Sequence, residues 1–183
     1  MNWIVFAIAA YLFIALEVGL RPLFLASEVE PSFVLILAVY IGLMAPSQAL
    51  VWAFLILGAL LDLAAGPISG VYILGPSALG YLVGSCAIIQ FRGLVFRESL
   101  FSLAVMTIVA GIFIHLTIVF IYTFRGFGVI TGEPVAQWSA TGQLFNRLLE
   151  LFYTAALAFP VGWLLYKTTP IWDFPGKKNK RKS

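Results

Sequence analysis

The chain has 183 residues, 62% of them hydrophobic and only 10% charged, with a mean hydropathy of +1.02. A soluble domain of this length cannot hide so much apolar surface, so the composition excludes a water-soluble module and specifies an all-α integral membrane protein. The formal charge of +3 conceals an asymmetry: Lys167, Lys177, Lys178, Lys180, Arg181 and Lys182 all follow Tyr166, a placement that fits the anionic lipid of a cytoplasmic leaflet rather than nucleic acid.

Crossing a hydrocarbon core of about 30 Å takes roughly 20 helical residues. The first apolar segment, residues 2–20, contains Glu17 and lacks the basic start and small-residue cleavage site of a secretory signal. It is expected to be a retained helix closed by Arg21-Pro22. The second, residues 31–45, gives only about 22 Å of helix, so it must borrow flanking residues, thin the bilayer or span only partly. Pro46 separates it from the third, 47–65. The fourth is read as 68–90 with a kink at Gly75-Pro76, the fifth as 99–124, and the sixth as 143–166 with Pro160 inside it. The expected architecture is one bundle of six transmembrane helices over residues 1–166, the second helix short, with a basic tail at 167–183. Six crossings with the tail inside place both termini and the Arg92–Arg97 loop in the cytoplasm and the longest loop, 125–142, outside. If the second segment does not cross, there are five crossings and the N-terminus flips.

The ionisable residues within these segments carry the functional question. Asp62 has Gly58, Ala59, Ala65 and Gly66 three and four positions away. That face of small residues admits a neighbouring helix closely, so the acid is expected to point into the protein. The fourth segment carries Ser77, Gly80, Gly84 and Ala87 on one face, with Gly80-x-x-x-Gly84 as a close-packing motif. The fifth offers Ala104, Thr107, Gly111 and His115, and the sixth Arg147, Glu150, Thr154, Ala158 and Gly162. Arg147 and Glu150 are spaced to pair on their own helix. Two readings compete for Glu17, Asp62, His115, Arg147 and Glu150: polar ties between helices, or a polar cavity for a substrate or protons. The first is preferred, because a conducting path strings acids through the bilayer and Glu17 and Asp62 are read as lying near opposite ends.

Nothing assembles a catalytic set. There is no H-E-x-x-H, and one histidine and one cysteine cannot build an ordinary metal site. Cys86 is read as a small packing residue. Gly75-Pro76-Ser77-Ala78 is similar to the G-x-S-G turn of intramembrane serine proteases but lacks the last glycine. The expectation is a protein that is no enzyme and takes no cofactor or metal.

The run Gly58-x-x-x-Asp62-Leu63-x-x-Gly66-Pro67-x-x-Gly70, followed by the helix ending Gly80-Tyr81-Leu82-x-Gly84, resembles the rod shape-determining protein MreD family. The resemblance extends over about residues 1–170, including the short apolar run with Tyr40 and the basic loop around Arg92 and Arg97. It implies a place in the bacterial inner membrane, within the cell-elongation machinery that builds lateral-wall peptidoglycan. Its implied partners are the bitopic protein MreC, a RodA-type SEDS glycosyltransferase and its penicillin-binding partner, above cytoplasmic MreB filaments. The fold it implies is also similar to that of the substrate-binding S-component of ECF vitamin transporters, which supplies the alternative of a small-molecule-binding subunit. Such subunits carry an Ala-x-x-x-Ala face on their first helix. Here Ala7, Ala9, Ala10 and Ala15 include no pair four apart, which favours the adaptor.

Overall fold

The computed structural model describes residues 1–24, 30–64, 75–96, 99–126 and 140–174. Every regular element among the described residues is helical: α1 (Trp3–Phe24), α2 (Phe33–Met44), α3 (Ser47–Ala64), α4 (Pro76–Phe91), α5 (Leu100–Gly126) and α6 (Ala140–Thr168), then a 3-10 turn at Thr169–Trp172. Within α1, α3, α5 and the run from α6 into the turn lie apolar stretches long enough to cross a bilayer, while α2 and α4 are shorter.

The shortest helix occupies the centre. All ten residues from Val34 to Leu43 are buried, and α2 touches each of the other five helices. A helix that is apolar all round has no face to give to water and is stable where protein surrounds it. Its shortness then needs no adjustment of the bilayer, because lipid does not reach it. Around it, α3 packs on α4, α4 on α5 and α5 on α6, while α1 lies against α2 and α3. The outer surface of α1 stays open, with Ile4, Ile8, Tyr11 and Leu12 exposed.

Two boundaries differ from the sequence reading. α1 runs through Arg21-Pro22 to Phe24, since a proline in the last turn removes a single intrahelical donor and leaves the turns before it intact. The fourth helix is not kinked at Gly75-Pro76 but begins there. Gly75 is its extended N-cap and Pro76 its first helical residue, the position where the missing N–H is one of the unpaired ones in any case.

Both ends of the described chain meet at one end of the bundle. The Asn2 N–H donates to the Trp172 carbonyl at 2.9 Å, as an even number of passes requires. Trp172 is buried and packs edge-on against Tyr40 of α2, whose hydroxyl shares a 3.0 Å hydrogen bond with Thr169. Arg92 ties the same end together: Nη1 donates to the Ala45 carbonyl at 3.0 Å and Nη2 to the Ser47 hydroxyl at 2.6 Å. Replacing Arg92 with alanine is expected to lower stability by about 1–2 kcal/mol, the value of charge-assisted bonds in a partly exposed setting. Thermal unfolding in detergent measures it, and an unchanged midpoint would mean that the α2–α3 turn holds its shape unaided.

Candidate functional site

At the opposite end of the bundle two acids perform the same task on two helices. Asp62, in the last turn of α3, accepts from the Ser77 N–H at 3.1 Å and the Ala78 N–H at 2.9 Å. These are the first donors of α4, since Pro76 has none. Gly75 supplies no side-chain cap, and a Cβ there would fall on the Asp62 carboxyl group. The cap is therefore delivered across the helix pair, from α3 to α4. The carboxylate also faces the positive end of the α4 dipole. Gly58, one turn earlier, makes this possible: a Cβ at that position would lie 2.7 Å from the Ala78 Cα and 2.8 Å from the Ser77 carbonyl oxygen. The spacing Gly58-x-x-x-Asp62 thus reads as a close approach followed by a cap.

Glu17 does likewise for α2. Its carboxylate accepts from the Val34 N–H at 2.8 Å and from the Ser32 hydroxyl at 3.3 Å. The Ser32 oxygen in turn accepts from the Leu35 N–H at 3.3 Å, and the Ser32 N–H donates to the Thr154 hydroxyl of α6 at 3.1 Å. Glu17 and Asp62 thus lie at the same end of the bundle and not at opposite ones. One reversal through α2 makes α1 and α3 run in the same direction, so residues late in each share an end.

Between these capped helix starts lies a cavity of about 350 Å³. Every helix contributes to its wall; the polar contributions include Glu17, Ser32, Tyr81, His115, Arg147 and Glu150. The polar residues therefore form interhelical ties and a polar cavity together. The Arg147 guanidinium reaches His115 of α5, Nη1 to Nδ1 at 3.1 Å, a contact between helices that the sequence did not single out. Arginine has only donors, so the imidazole Nδ1 accepts and the ring proton sits on Nε2. His115 Nε2 and Arg147 Nε are both buried without a hydrogen-bond partner.

Gly80 and Gly84 face α5. A Cβ on Gly80 would lie 3.1 Å from the Ile114 carbonyl oxygen, and one on Gly84 2.6 Å from the Ile114 side chain. They bring α4 and α5 together inside the bundle and open no lipid-facing groove. Cys86 is exposed on α4 rather than packed. Gly66, Pro67 and Gly70 lie outside the described residues, as does most of the 125–142 loop. Ser32 was not singled out from sequence, although a serine between a proline and an apolar run is a helix-start signal. Among the described residues no cluster of three or more His, Cys, Asp or Glu side chains is arranged to hold a metal ion.

Apolar helices packed around a short one whose central residues are all buried, with four apolar stretches long enough to cross a bilayer among the described residues, define a multi-pass integral membrane protein. A family model described as rod shape-determining protein MreD matches residues 1–166. The chain belongs to that family, and its role lies in the determination of rod shape. No curated protein and no solved structure matches it.

Proposed function

We propose that this protein is a non-catalytic adaptor of the cell-elongation machinery. In this reading it sits in the bacterial inner membrane and binds an MreC-like bitopic protein, a RodA-type glycosyltransferase and its penicillin-binding partner. The observation that carries the reading is the family match over nearly the whole membrane domain. The exposed apolar surface of α1, anchored to the bundle along one side, supports it as a surface on which a single-pass helix can pack. Gentle purification from native membranes tests the proposal: an MreC-like protein and the wall synthases are expected to co-purify, and depletion is expected to round the cells. Topology is tested in the same strain. With Cys86 replaced, single cysteines in the 125–142 loop are expected to react with an impermeant thiol reagent on intact cells, and those at residues 91–98 to stay protected. The reverse pattern would overturn the orientation.

The cavity favours one second reading, a small-molecule-binding subunit of an ECF-type transporter. Depleted cells that keep their rod shape but lose uptake of a vitamin would establish it in place of the adaptor.

A further inference from the structure

We propose that the cavity at the Glu17 end binds a phosphate group, held by the Nε2–H of His115 and the Nε–H of Arg147. The inference stands apart from the adaptor reading and does not need the transporter one. It starts from two donors with no acceptor. His115 is 8% exposed, its Nδ1 is taken by Arg147, and its Nε2 has no partner, nor has Arg147 Nε. Both residues line the same cavity. Buried N–H groups in proteins are almost always paired, so two left open beside one cavity mark a place for an acceptor. They come from different helices, α5 and α6, which the Nη1–Nδ1 contact ties together at 3.1 Å. A neutral imidazole N–H beside a guanidinium edge is a donor set that suits an oxyanion with several acceptor oxygens.

The carboxylates of the wall do not cancel this. Glu17 is committed to the start of α2, where it accepts from the Val34 N–H at 2.8 Å. Glu30 and Glu150, which also line the cavity, have partners of their own within the protein. Among the buried side-chain atoms of the described wall, the two left open are both donors. Size and lining narrow the occupant. A water molecule takes about 30 Å³ of liquid volume, whereas the cavity measures about 350 Å³ and falls at the lower end of the range for ligand pockets, roughly 300–1,000 Å³. Leu20, Leu35, Leu61, Ile114 and Ile118 also line it, so the wall suits a phosphate carried on an apolar body. Depth points the same way. With 12 residues, α2 is about 18 Å long against a core of about 30 Å, so the cavity at its start lies within reach of lipid headgroups at one face. The phosphodiester of a phospholipid has the required chemistry. A soluble phosphate ester shares the phosphate and lacks the acyl chains.

The test is thermal unfolding of the delipidated full-length protein in detergent. It is titrated with phosphatidylglycerol, with the matching diacylglycerol, which lacks the phosphate, and with soluble glycerol 3-phosphate. Phosphatidylglycerol is expected to raise the midpoint and diacylglycerol to leave it in place. A rise with glycerol 3-phosphate at similar concentration would assign the site to a soluble ester, and a rise with the phospholipid alone to a headgroup. Arg147→Gln and His115→Phe are each expected to weaken the response about tenfold, the worth of one charge-assisted hydrogen bond. Lys167→Gln, in the last turn of α6 at the opposite end of the bundle, is expected to leave the response unchanged, which separates the cavity from general attraction to a basic surface. The comparison of the two lipids is made on the wild type, so it stands should a cavity variant fail to fold. Equal shifts with both lipids, no response to either phosphate probe, an undiminished response in either cavity variant, or loss of the response in Lys167→Gln would overturn the proposal.

Discussion

Replacing Asp62 with leucine should lower the stability of the purified protein by about 3 kcal/mol, and replacing it with asparagine by about 1 kcal/mol. Leucine leaves the Ser77 and Ala78 N–H groups without an acceptor, in a bundle where water is scarce and an unpaired donor is costly. It also brings a branched side chain against Gly75, which leaves room only for the flat carboxyl group. Asparagine keeps the shape and one acceptor, but turns a donor toward the second N–H. Thermal unfolding in detergent gives the ranking. A leucine variant as stable as the wild type would show that α4 does not depend on its cap from α3.

The second large effect is expected at Gly58. A methyl group there meets the backbone of the first turn of α4, with Ala78 Cα at 2.7 Å, and backbone cannot rotate out of the way. Gly58→Ala should therefore cost about 1–3 kcal/mol and also pull Asp62 away from its donors. Two controls give the comparison its force. A Cβ at Gly84 meets the Ile114 side chain, whose tip can move, so Gly84→Ala should cost less. A Cβ at Gly19 meets nothing within 4 Å, so Gly19→Ala should be neutral or gain about 0.5 kcal/mol from helix propensity. Equal losses at Gly58 and Gly19 would mean that helix propensity, not the approach of α3 to α4, controls the site.

The small-residue face around Asp62 and its inward direction were legible in the sequence, because a charge in lipid and a glycine stripe each have one economical solution. What Asp62 holds was not legible. Its donors lie 15 and 16 residues away, beyond a break whose effect on the next helix cannot be read from spacing. Gly75-Pro76 illustrates the ambiguity, since the same dipeptide serves as a kink inside a helix or as its first two positions. Glu17 and Asp62 share an end because α1 and α3 run in the same direction. Counting helix directions puts both at one end, whereas reading each segment separately does not. The His115–Arg147 contact joins two long helices at a separation of 32 residues, and one sequence carries no signal for such a pair.

The enclosed position of α2 bears on the order in which the molecule is made. Its residues leave the ribosome before α5 and α6, two of the helices that cover it, and well before Trp172, which packs on Tyr40. A growing chain with only its first three helices in the membrane therefore holds a twelve-residue apolar rod too short to span, with its sides uncovered. The Asn2–Trp172 hydrogen bond likewise joins residues far apart in the chain. Enclosure of α2 therefore waits for α6 and the turn after it, and the centre of the bundle is completed only once its later neighbours are in place.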